Sequence, residues 1–132
     1  MNILIVGLGS IGQRHLRNIR SLYPKTKFYA FRRNFQTPSL NNFNKVKKFN
    51  IQKKYDITYL KSLNNLNKYK INAAFICSPT SFHIEESIKI INQKIHVFVE
   101  KPLGSSLKKI SFLEKALNSN NVISMIGFQL RF

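Results

Sequence analysis

Apolar positions in this chain fall into short runs of four or five, separated by longer stretches in which they recur every three or four residues. Short runs bounded by polar residues predict buried strands, and the three-to-four spacing predicts helices that cover them. The first run, Ile3-Leu4-Ile5-Val6, gives a strand over Asn2–Val6. Ile11, His15, Leu16, Ile19 and Leu22 then mark a helix over Ser10–Tyr23, closed by Pro24. Further strands are expected at Lys27–Phe31, Asp56–Tyr59, Ala73–Cys77, Ile95–Val99 and Val122–Ile126. Further helices are expected at Leu63–Tyr69 with Ser62 as cap, at Ser81–Gln93 with Ile84, Ile88 and Ile91 on one face, and at Ser106–Asn118. In the last of these Ser106 is the cap, and Leu107, Ile110, Leu113 and Leu117 form the buried stripe. The stretch Arg33–Asn44 reads as loop, because Pro38 cannot join regular pairing, and a poorly defined basic segment follows it.

Strands alternating with helices specify an α/β fold with a parallel sheet. The turn after the first strand sharpens this. Gly7-Leu8-Gly9-Ser10-Ile11-Gly12 is a G-x-G-x-x-G set between strand and helix, where a Rossmann-type fold binds a dinucleotide. Gly7 allows the tight turn, Gly9 admits a pyrophosphate close to the backbone, and Gly12 lets the helix pack on its strand. Ser10 and Ile11 lie where the free N–H groups of the helix start would face that pyrophosphate. The expected architecture is a single doubly wound parallel sheet of order 3-2-1-4-5-6 over residues 1–127, with 128–132 beginning a connection onward. Every unusual tripeptide then falls at the carboxyl edge of that sheet: Arg32-Arg33, Ser78-Pro79-Thr80, Glu100-Lys101-Pro102, and Gln129 with Arg131. Where an NAD site carries an acid for the ribose 2′-hydroxyl, this chain has Arg32 and Arg33, which suit the 2′-phosphate of NADP. NADP is therefore the preferred cofactor and NAD the alternative.

Composition narrows the class. The 132 residues correspond to one domain, and the single Cys77 excludes an intrachain disulfide, which fits a reducing cytoplasm. The first strand starts at once, leaving no room for a signal peptide, and no apolar run approaches a membrane span. The chain carries a formal net charge of +17, from 22 Lys and Arg against 5 Asp and Glu. A nucleic-acid-binding reading ranks last, because the charge is spread along the chain among many Asn and Ile. The densest part, Lys45 to Tyr55, reads as a solvated connection with Phe49 and Tyr55 as anchors. No metal is expected.

The glycine set with Arg14-His15, then Ser78-Pro79-Thr80-Ser81-Phe82-His83, Glu100-Lys101-Pro102 and Gly127-Phe128-Gln129-Leu130-Arg131-Phe132, resembles the glucose–fructose oxidoreductase and inositol dehydrogenase family (Gfo/Idh/MocA). The likeness runs through the whole chain in order, and Glu-Lys-Pro is its most specific element. It implies NAD(P)-dependent hydride transfer at a hydroxyl carbon of a sugar or cyclitol. Lys101 matches the lysine that bonds the reacting hydroxyl and the nicotinamide ribose, and is the expected catalytic residue. The same matching makes Ser78, Pro79, Thr80, His83, Glu100, Pro102 and Gln129 borders of the cofactor, beside Gly7, Gly9, Ser10, Ile11, Gly12, Arg32 and Arg33. His15 and His96 are expected to be structural. Members of the family continue into a substrate domain after the segment matching Gly127–Phe132, so this chain is expected to bind dinucleotide and turn over little alone. A sugar-like substrate would require that domain from elsewhere. The alternative is a non-catalytic dinucleotide-binding module that associates with a partner through the exposed domain-docking face.

Overall fold

The strand Asn2–Val6, here β1, is apolar on both faces because both are covered. Ile3 and Ile5 point into one core and Leu4 and Val6 into the other. The computed structural model describes residues 1–33, 38–41, 45–46 and 50–128. Among these, β1 is joined by β2 (Lys27–Phe31), β3 (Ile57–Tyr59), β4 (Ala73–Ile76), β5 (His96–Val99) and β6 (Ser124–Ile126). All pair in parallel, in the order β3-β2-β1-β4-β5-β6. This is the expected doubly wound sheet. The chain builds outward from β1 in one direction, then returns and builds the other way from β4.

Helices α1 (Ser10–Leu22) and α2 (Ile51–Tyr55) lie on the Ile3–Ile5 side, where Leu16, Ile19, Ile51 and Tyr55 pack with Phe28 and Ala30. Helices α3 (His83–Ile91) and α4 (Ile110–Asn120) lie on the other side, where Ile84, Ile90, Ile91, Leu113 and Ala116 pack against Leu4, Val6, Ala74, Ile76, Val97 and Val99. Two layers of helix around one sheet thus bury nearly every aliphatic residue of the strands.

The helical expectations need four corrections. The segment expected to open a helix at Ser106 does not; α4 starts at Ile110, behind Lys109 at φ 68°. A left-handed residue cannot continue a right-handed helix, so Ser106 caps nothing and Leu107 is 85% exposed. The helix expected over Leu63–Tyr69 shrinks to a 3₁₀ turn, Leu66–Tyr69, because the Ser62 hydroxyl instead accepts the Asn64 N–H in a local turn. Thr80–Phe82 is likewise a 3₁₀ turn, and α3 begins only at His83. The basic segment holds one short helix, α2, whose Asn50 side chain accepts the Lys53 N–H at 3.1 Å. Tyr55 is a buried anchor as expected, while Phe49 lies outside the described residues.

Candidate functional site

Ligands of such sheets bind where the winding direction reverses, here at the carboxyl ends of β1 and β4. A crevice of about 350 Å³ opens there. Its floor is the turn after β1, its flank Ser78 and Pro79 after β4, and its far wall Phe31, Arg32 and Arg33 after β2.

The glycines have separate tasks. Gly7 sits at φ +89°, and a Cβ there would stand 2.7 Å from the Cys77 carbonyl oxygen, so the turn requires glycine for both conformation and space. A Cβ on Gly12 would meet the Gly7 carbonyl oxygen at 2.0 Å, which is what lets α1 press against the strand turn. A Cβ on Gly9 would meet nothing within 4 Å. Gly9 caps α1 without a side-chain bond and lines the crevice with Ser10 and Ile11. The first-turn N–H groups of a 13-residue helix therefore end at open space, and such a cradle fits the pyrophosphate of a dinucleotide.

Three charged groups organise the walls. Glu86, on α3 and 2% exposed, receives Arg33 Nη2 at 2.8 Å and the Ser78 hydroxyl. The Arg33 guanidinium carbon also lies over the Phe82 ring, 4.1 Å from its centre. Arg32 reaches the Tyr59 hydroxyl at 3.5 Å and lines the crevice. The two arginines thus have different surroundings: Arg33 clasps β2 to α3, and Arg32 faces the cavity. Burial, and secondarily the Glu100 carboxylate, push the Cys77 thiol well up, so this part of the lining is neutral.

Beyond β5, Glu100 is buried and its carboxylate meets His15 Nε2 at 2.6 Å. Lys101 follows on an exposed bend, joined to Pro102 by a cis peptide bond. The Pro102 carbonyl lies 2.9 Å from Nδ1 of the buried His83, whose Nε2 is 2.7 Å from the Ser78 carbonyl.

A family model described as an oxidoreductase family with an NAD-binding Rossmann fold, Gfo/Idh/MocA, matches residues 1–128. This chain belongs to the Gfo/Idh/MocA family. It is 32% identical over 97% of its length to an uncharacterized oxidoreductase of Bacillus subtilis, YrbE, of which it spans 35%. It is 28% identical over its whole length to a myo-inositol 2-dehydrogenase of Thermotoga maritima, of which it spans 37%. A solved scyllo-inositol dehydrogenase from Lactobacillus casei, bound to NAD(H) and scyllo-inositol, superposes with a TM-score of 0.75. The match is at 26% identity and covers all of this chain and 37% of that one. The chain is thus an NAD-binding Rossmann domain of an oxidoreductase family, spanning about a third of its relatives' length.

Within this Gfo/Idh/MocA domain, Gly7, Gly9, Ser10, Ile11, Arg32, Arg33, Ser78 and Pro79 line the crevice together, and Gly12 lies directly beneath. Thr80 faces instead a smaller neighbouring cavity with Glu85, Gly104 and Lys109. His83, Glu100, Lys101 and Pro102 do not line the crevice; His83 and Glu100 hold the loop after β5 through the contacts above. Lys101 and Pro102 form that loop, and Gln129 lies outside the described residues.

Three residues of the site were given no site role from the sequence, His15 among them having been expected to be structural. Gln13 is buried, with Nε2 donating to the Leu8 carbonyl at 3.0 Å and the Pro38 carbonyl at 2.8 Å, while Oε1 accepts the Leu40 N–H at 2.7 Å. It pins the loop after β2 to the glycine turn. Glu86 and His15 are the others. A glutamate on the apolar side of α3 was a usable signal for Glu86; the Pro38 and Leu40 partners of Gln13 and the Glu100 partner of His15 are 25 to 85 residues away and leave none. Among the described residues, no helix is long and apolar enough to cross a membrane.

Proposed function

We propose that the crevice binds NADP in preference to NAD, and that the domain serves hydride transfer at a hydroxyl carbon of a sugar or cyclitol, with Lys101 as the catalytic residue. The observation that carries the reading is the convergence of an open glycine cradle, an end of β2 that contributes two arginines and no acid of its own, and the Lys101 loop on one edge of one sheet. The α1 N-terminus would hold the pyrophosphate, and Arg32 the 2′-phosphate. The bound nicotinamide supplies hydride exchange. Lys101 would hydrogen-bond the substrate hydroxyl, stabilise the developing alkoxide and help move its proton. Inositol dehydrogenases among the relatives support the polyol class.

The chain reads as dinucleotide domain over 1–127 and as connection from 128 onward. Substrate positioning and water exclusion would come from a further domain, so turnover by these residues alone would be slight. A reducing cytoplasmic setting fits the lone buried Cys77. The alternative, a non-catalytic module that docks a partner, draws support from the exposed Ile123, Met125 and Phe128 around β6.

Calorimetric titration with NADPH and NADH tests the reading. We expect tighter binding of NADPH, lost by about tenfold in Arg32→Ala with NADH unaffected. Equal affinity for the two in the unaltered chain would remove the NADP preference. A folded sample that binds neither would overturn the function.

A further inference from the structure

Lys101 is exposed, yet both of its chain neighbours are held, each by a histidine. On one side the Glu100 carboxylate meets His15 Nε2 at 2.6 Å, and the His15 ring sits 5.3 Å from both Phe75 and Phe98. On the other side the Pro102 carbonyl meets His83 Nδ1 at 2.9 Å, and His83 Nε2 reaches the Ser78 carbonyl at 2.7 Å. A neutral imidazole donates to one of these carbonyls and only the imidazolium donates to both. His15 belongs to α1, whose N-terminus lines the crevice floor. His83 opens α3, five residues beyond the flank at Ser78. Each wall of the crevice therefore sends one histidine to one end of the lysine's backbone.

We infer that His15 and His83 are positioning residues for Lys101, coupling the reactive lysine to the two elements that hold the dinucleotide. The inference rests on the crevice being a nicotinamide dinucleotide site. A lysine has a long, freely rotating stem, so the place where its ammonium spends time depends on how firmly its backbone origin is fixed. Glu100 is held doubly, since its other carboxylate oxygen accepts the Lys101 N–H at 3.3 Å and so links the His15 contact to the lysine's own peptide. Space at this point is tight as well. A Cβ on Gly127, after β6, would stand 2.8 Å from the Phe98 ring and 3.6 Å from the Glu100 carboxylate.

The test compares NADPH with ADP, which lacks the nicotinamide and its ribose as well as the 2′-phosphate, as calorimetric ligands of the full chain. Lys101→Ala should weaken NADPH by about tenfold and leave ADP unchanged. His15→Phe, whose ring fills the gap between Phe75 and Phe98, should cause the same NADPH-only loss. Combined with Lys101→Ala it should add almost nothing. His15→Gln keeps an N–H for Glu100 and should restore most of the affinity. His83→Gln should likewise keep what His83→Leu loses; if His83→Leu fails to fold, the His15 cycle decides. Losses that multiply in the double variant, or that fall equally on ADP, would overturn the positioning role and leave a packing role. NADPH bound no more tightly than ADP would also overturn it, while leaving the crevice a nucleotide site. Binding of neither by folded protein would overturn the proposed function itself.

Discussion

Removing the Arg33 charge while keeping its stem, as in Arg33→Met, isolates what the clasp between β2 and α3 contributes. Glu86 is almost wholly buried, with a side chain 3% exposed, whereas Arg33 is 49% exposed. The loss therefore falls mainly on the carboxylate, which keeps the Ser78 hydroxyl but loses a charge-assisted bond of 2.8 Å. Breaking a fully buried pair costs about 3–5 kcal/mol, and an exposed one contributes about 0–1. Because water can replace a half-exposed guanidinium, the cost sits between these limits, at about 1.5 kcal/mol. The contact over Phe82 adds about 0.5 kcal/mol at an exposed position. For a chain of this length the sum of about 2 kcal/mol lowers the midpoint of thermal unfolding by about 7 °C. Glu86→Gln keeps one acceptor oxygen for Arg33 and presents an amide NH2 that can donate to the Ser78 hydroxyl oxygen, and should lose about half as much. Circular dichroism melts of the three proteins provide the measurement. An Arg33→Met midpoint within about 1 °C of the unaltered chain would show that solvent competes successfully for Arg33, and the clasp would then contribute nothing.

Gly9→Ala should melt with the parent chain, since its Cβ enters open space, yet weaken ADP by about tenfold by crowding the pyrophosphate. Gly12→Ala, with its Cβ 2.0 Å from the Gly7 carbonyl oxygen, should cost more than about 2 kcal/mol in urea denaturation and abolish nucleotide binding. The Cys77 thiol is held protonated by burial first and by Glu100 second, so alkylation by iodoacetamide should follow unfolding. Because the folded state keeps that proton where the unfolded chain releases it, the stability contributed is intact below the ordinary thiol range and declines as pH rises above it; Cys77→Ala should flatten that decline. Glu85 is held below the usual carboxylate range by its hydrogen bond to Lys109. Its contribution is therefore present above that range and lost as pH falls through the lowered value, and Lys109→Met should raise the Glu85 titration followed by NMR.

Elements whose causes are local were legible in the chain itself. The bounds of β1 and β2 agree to the residue with the apolar runs, and α1 agrees at its start. Strand order followed from one motif, because a glycine turn at the first strand implies the winding that places β4 beside β1. Misjudged elements had competing local options. Lys109 in the left-handed region stops α4 from reaching Ser106, and the Ser62 hydroxyl takes up the backbone N–H that a helix there would have used. The candidate site was legible as residue types at strand ends, since the sheet edge gathers whatever follows each strand.

The sequence by itself determined the sheet, the glycine cradle and the residues delivered to its edge, because strand period, turn chemistry and winding order are set by neighbours a few positions apart. Only the tertiary structure decided which of those residues address the cavity and which hold another in place. Arg32 and Arg33 are adjacent in sequence and both line the crevice, but Glu86, 53 residues further on and part of the same lining, engages Arg33 in an ion pair. Glu100 and Lys101 are adjacent too, yet His15, 85 residues earlier, turns one carboxylate into an anchor and leaves the lysine exposed. Such assignments depend on partners brought together by folding, and no local period encodes them.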